Sequence, residues 1–113
     1  MPYTSTFTTP APQLEDLAAL PGTLVLEFGT PWCGHCQAAQ PLIEAALAQR
    51  SDITHIKIED GPGRKLGRQF KVKLWPSLVV LRGGQEIGHV VRPASVQAVV
   101  DQLPSCEAAL TQS

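Results

Sequence analysis

The sequence is short of charge. Asp, Glu, Lys and Arg make up 17% of its 113 residues, and ten acids against nine Lys and Arg leave a net charge of −1. So weak a field gathers neither nucleic acid nor an anionic membrane surface. Long apolar runs are also missing, and nothing approaches the ~20 residues a membrane span needs. The opening MPYTSTFTTPAPQLEDL lacks the basic start and apolar middle of a secretory signal. The chain is therefore expected to be soluble and cytoplasmic. Cysteine is scarce: three residues, an odd count and too few for a secreted disulfide scaffold. Repeats and low-complexity tracts are absent.

What remains is globular. Hydrophobic residues reach 43%, enough for one domain with a real core. A single domain over 1–113 is expected, with 1–10 and 105–113 as loose ends. Arg64, Lys65, Arg68, Lys71 and Lys73 crowd one window without an intervening acid, and a solvated face around a short helix explains them.

Leu14, Leu17 and Ala18 follow helical spacing until Pro21-Gly22. TLVLEF, Thr23 to Phe28, reads as a strand buried on both faces. From Gly34 to about Arg50 the pattern is helical, with Leu42, Ile43, Ala46 and Leu47 on one side and a kink expected at Pro41. ITHIKIE, Ile53 to Glu59, is a second central strand. DGPG (Asp60 to Gly63) is a turn, since it lacks the Lys-Ser/Thr ending of a phosphate loop. Lys65 to Phe70 forms a short helix. SLVVLRGGQEIGHVV is a hairpin with a Gly-Gly turn. Val96, Val99, Val100 and Leu103 mark a last helix before Pro104. The crossover rule makes the first two strands parallel, and the sum is an α/β domain with helices on both faces.

The stretch EFGTPWCGHCQAAQP runs from Glu27 to Pro41 and puts Cys33 and Cys36 between the first strand and its helix. A thiolate at a helix start is stabilised by the unsatisfied N–H groups and partial positive charge there. His35, when protonated, adds to that field. Cys33 is then an exposed nucleophile and good leaving group, and Cys36 a sheltered sulfur that reaches back to bond with it. Two alternatives stand beside this. Zinc needs four ligands, and Cys106, His35, His55 and His89 offer no second close pair. A purely structural disulfide between near neighbours stabilises little. The redox reading is favoured.

These residues resemble the thioredoxin family. LVLEFGTPWCGHC, Pro41, Lys57 and WPS (Trp75 to Ser77) match its motifs in order over nearly the whole chain. The Cys-Gly-His-Cys form is similar to that of the protein disulfide isomerases. The resemblance implies a thioredoxin fold, a central mixed sheet flanked by helices. It implies a thiol–disulfide oxidoreductase acting on protein disulfides, with Cys33 attacking and Cys36 resolving through a reversible Cys33–Cys36 disulfide. No other cofactor and no metal is implied. An upstream reductant, such as a thioredoxin reductase or glutathione, would reset the pair, and the chain would act as a monomer.

The resemblance also casts Glu27 as the buried acid that handles the Cys36 proton, and Lys57 as its partner. A carboxylate taken out of water accepts and returns a proton more readily. Without the family pattern, Glu27 reads as an outward strand residue and Lys57 as a surface lysine. Pro76 resembles the family's cis-proline. The Trp75 main chain beside it would pair with an extended substrate. Trp32 and Trp75 would form an aromatic rim, where core packing is the plainer alternative. Two sites depart from the pattern, at three positions: Trp75 is bulky, and Arg92-Pro93 replaces a flat small-residue surface. Cys106 has no family role and reads as a bystander thiol. A second functional class stays open, a partner-binding module whose docking is switched by the redox state of the pair.

Overall fold

A computed structural model describes residues 3–48 and 50–104. The elements run α1 (Leu14–Ala19), β1 (Thr23–Gly29), α2 (Gly34–Leu47), β2 (Ile53–Glu59), α3 (Lys65–Gln69), β3 (Ser77–Arg82), β4 (Gln85–Val91) and α4 (Val96–Val100). One sheet has the order β2-β1-β3-β4. β1 pairs with β2 in parallel and with β3 antiparallel, and β3 pairs with β4 antiparallel. Gly83 and Gly84 turn the hairpin with φ of 58° and 82°, the left-handed pair that a two-residue turn between twisted strands requires.

Alternation along the strands divides the core in two. Leu24, Leu26 and Phe28 of β1 join Val79, Leu81 and Ile58 under α1 and α3, where Leu17 and Leu66 cover them. Each large side chain so buried contributes about 1.5–3 kcal/mol. On the other face Val25, Leu78, Val80 and Ile53 meet Ile43, Ala46 and Leu47 of α2 and Val99 of α4. Glu27, His55 and Lys57 share the parity of Val25 and Ile53, so the pleat turns them toward α2 as well.

Three boundaries differ from the sequence expectation. α2 ends at Leu47 rather than near Arg50, although it continues through Pro41. α4 stops at Val100, and turns at Asp101 and Gln102 carry the chain to Leu103. The N-terminal stretch, expected as a loose end, is docked from Tyr3 to Thr8: Phe7 bridges Lys57 and the Thr8 N–H donates to the Lys57 carbonyl at 2.8 Å. β2, expected as a second central strand, lies instead at the edge of the sheet beyond β1, and those main-chain bonds cover its outer side. Residues 105–113, and Cys106 with them, lie outside the described residues. No helix among the described residues is long and apolar enough to cross a membrane.

Candidate active site

Cys33 is the N-cap of α2, with extended backbone (φ −80°, ψ 116°), and its Sγ accepts the Cys36 N–H at 3.1 Å. The helix start therefore directs one of its spare donors at that sulfur. Both thiols are free. Their exposure differs less than the sequence suggests: 8% for Cys33 and 4% for Cys36. Cys33 is thus not an open sulfur, and the asymmetry of the pair lies mainly in its bonds. Burial, and then the hydrogen bond with Cys33, push the Cys36 thiol up to about 12, and the Glu27 charge adds to the effect. Gly29 makes room for this sulfur, because a Cβ there would lie 2.6 Å from Cys36 Sγ.

Behind the pair sits a closed polar network. The Gln40 amide donates to Glu27 Oε2 and to the Cys36 carbonyl, both at 2.7 Å. Glu27 is 1% exposed, and its Oε1 lies 2.9 Å from His55 Nε2. The Thr4 main-chain N–H donates to His55 Nδ1 at 2.9 Å. A main-chain N–H can only donate, so Nδ1 accepts and the ring proton sits on Nε2, facing Glu27. Lys57 Nζ donates to Gln40 Oε1 at 3.1 Å and stands 3.8 Å from Glu27 Oε2. The Phe7 ring lies 4.9 Å from that ammonium. Tyr3 stacks on His55 and donates its hydroxyl to Gln40 Oε1 at 2.6 Å, while burial and then the Glu27 charge push that hydroxyl's pKa up.

In front of the pair is the rim. Trp32 is 72% exposed and meets Trp75 edge-on, with ring centroids 5.7 Å apart. The Trp75 indole N–H donates to Asp60 at 2.8 Å, so this ring is anchored, not merely packed. The Trp75–Pro76 peptide is cis. Arg92 Nε donates to the Trp75 carbonyl at 2.8 Å. His35 is exposed and lines a groove of about 190 Å³ with Leu42, Arg92 and Pro93.

A family model described as Thioredoxin matches residues 8–105. The chain belongs to the thioredoxin family. It is similar to thioredoxin 2 of Pseudomonas aeruginosa, solved in its reduced form, at 43% identity and a TM-score of 0.78, covering 98% of this chain and 100% of that one. It is 32% identical to protein disulfide-isomerase A3 of Gallus gallus over 77% of this chain and 17% of that protein. It is also 32% identical to a thioredoxin of Echinococcus granulosus over 60% of this chain and 64% of that one. The chain thus spans less than two thirds of the length of the first curated relatives it matches, 17%, 49% and 64%.

Within this thioredoxin fold the residues singled out from the sequence fall into three groups. Cys33 and Cys36 are in contact, Glu27 and Lys57 stand together behind them, and Trp32, Trp75 and Pro76 form the front. His35 has no bond to either sulfur among those of the described residues. Gln40, Tyr3 and the role of His55 escape a linear reading. Cys36 and Gln40 are one helical turn apart on α2, which was the available signal for Gln40. Parity along β2 was the signal for His55. Among the described residues no group of three or more His, Cys, Asp or Glu is placed to hold a metal ion.

Proposed function

We propose that this chain is a thiol–disulfide oxidoreductase for protein disulfides, in which Cys33 attacks and Cys36 resolves. The observation that carries the assignment is the bonded asymmetry of the pair: Cys33 Sγ accepts a helix N–H, and Cys36 holds its proton up to about pH 12. The Cys33 thiolate attacks one sulfur of a substrate disulfide. A mixed disulfide forms and the first substrate thiolate leaves. Cys36 then gives up its proton toward the Glu27 network and attacks Cys33 Sγ. The Cys33–Cys36 disulfide forms and the second substrate thiolate leaves. The substrate gains two electrons and the protein loses two.

A thiol reductant must return them, through a thioredoxin reductase or glutathione. A Mycobacterium leprae relative is a bifunctional thioredoxin reductase/thioredoxin, which supports the first. A reductase works where thiols are kept reduced, which supports the cytoplasm. The rim of Trp32, Trp75 and Pro76 receives the substrate segment, and Glu27 and Lys57 manage the Cys36 proton.

The test is trapping. With Cys36→Ser, attack proceeds and resolution does not, so insulin is expected to stay attached to Cys33 as a mixed disulfide that mass spectrometry detects. No adduct with Cys36→Ser, together with no insulin reduction by the unaltered protein, would remove the assignment.

His35 sets direction. The side chain between the two cysteines, in the first turn of α2, bears on the balance between dithiol and disulfide. Equilibration with glutathione is expected to place the pair above the value of about −270 mV typical of thioredoxin. His35→Pro is tolerated in a first helical turn and should lower the potential by roughly 30 mV, about 1.4 kcal/mol. An unchanged or higher potential in His35→Pro argues against that role.

A further inference from the structure

We propose that Arg92 selects substrates: its guanidinium guards the Trp75 carbonyl and releases it to an extended peptide that carries an acidic side chain next to its disulfide. The inference rests on the oxidoreductase reading of Cys33. Arg92 has φ of +47° and Lys71 +60°, and these are the two non-glycine residues with positive φ among those described. Left-handed backbone disfavours a side chain, and such residues gather at functional sites. Glycine would make the same turn without strain. The Arg92 N–H already ties the end of β4 to the Pro76 carbonyl at 2.9 Å. What the arginine adds is a side chain folded back so that Nε meets the carbonyl of Trp75 at 2.8 Å.

That carbonyl belongs to the residue whose ring forms the rim beside the cysteine pair. Trp75 touches Trp32, which directly precedes Cys33. The Trp75 N–H has no protein acceptor among the described residues. One main-chain donor is therefore open, and its companion acceptor is covered by a charged side chain instead of a strand. A peptide that adds as a strand uses both groups, so it must move Arg92. A released guanidinium presents a planar fork of N–H donors, which a carboxylate matches in two parallel bonds. The adjoining groove is lined by His35, Ala38, Ala39, Leu42, Arg92 and Pro93, without an acid. A neutral peptide displaces Arg92 and offers it nothing in return. An acidic peptide replaces the lost bond. If Arg92 is only a staple between β4 and the proline loop, it discriminates between neither.

The test separates docking from chemistry. Two eight-residue peptides each carry one S-methylated cysteine, flanked by Glu in one and by Gln in the other. Each is titrated against the Cys33→Ser/Cys36→Ser protein while tryptophan fluorescence is followed. The Glu peptide is expected to bind about fivefold tighter, the scale of one good exposed charge pair. The preference should shrink as salt rises. Adding Arg92→Gly, which suits the left-handed turn, should abolish the preference and tighten binding of the Gln peptide. Equal binding of both peptides, binding of neither, or a preference that survives Arg92→Gly overturns the proposal. Reduction of 2-hydroxyethyl disulfide by the native chain tests the oxidoreductase reading separately, because that compound has neither charge nor main chain to pair.

Discussion

Cys33→Ser is expected to lower insulin reduction by at least about 10³-fold. A serine hydroxyl does not ionise near neutral pH, and disulfide exchange proceeds through a thiolate. The neighbouring sulfur offers no detour. Cys36 lies against Gly29, is 4% exposed, and holds its proton up to about 12. The check is steady-state insulin reduction with dithiothreitol as electron source, beside a blank without protein. Residual activity within tenfold of the unaltered chain would mean that Cys36 attacks by itself, which its burial opposes.

The largest stability effect is expected at Glu27. Its carboxylate is the meeting point of His55, Gln40 and Lys57, at 2.9, 2.7 and 3.8 Å. Glu27→Ala leaves a 7% exposed Lys57 facing an empty acceptor position and strips His55 Nε2 of its partner. Removing one member of a buried charge pair costs about 3–5 kcal/mol, because the other stays buried and uncompensated. Urea unfolding followed by tryptophan fluorescence should show a midpoint lower by about 2 M, given a slope near 2 kcal/mol/M. Glu27→Gln keeps the shape and one acceptor oxygen and should lose less. A Glu27→Ala midpoint within about 0.5 M of the native one would show that the network contributes little to the fold.

The sequence carried the frame of this site more clearly than its depth. β1 and β2 were legible because TLVLEF is a nearly continuous apolar run and ITHIKIE alternates, although β2 lies at the edge of the sheet and not in its interior. The hairpin was legible because Gly83-Gly84 is turn chemistry between two apolar runs. With β1, α2 and β2 placed, the cysteines had to fall at the sheet's carboxyl end. The polar network was not legible in the same way. Gln40 meets Glu27 across 13 positions, His55 across 28 and Tyr3 meets Gln40 across 37, so only packing reveals them. A glutamine on a helix and a histidine on a strand both read as wet unless the buried face is known. Parity of Ile53, His55 and Lys57 along β2 held that information, and it became decisive once β1 fixed which face was inner.

The N-terminal segment shows the same limit. MPYTSTFTTP contains no helical or strand pattern, yet Tyr3, Thr4 and Phe7 each complete a contact behind the active site. Their roles are set by an open strand edge and a buried ion pair elsewhere in the chain. Cys33 shows a smaller version: spacing and position identified it, but its 8% exposure follows from packing that linear order does not encode.

Competitive alkylation of the reduced protein tests the asymmetry of the dithiol most directly. Substoichiometric iodoacetamide at pH 7, followed by peptide mapping, is expected to label Cys33 at least ~100-fold more than Cys36, because a thiol that holds its proton up to about 12 is ionised to only about one part in 10⁵ there. Raising the pH should increase Cys36 labelling about tenfold per unit as it nears that value. Equal labelling of the two cysteines at pH 7, or preferential labelling of Cys36, would contradict the account.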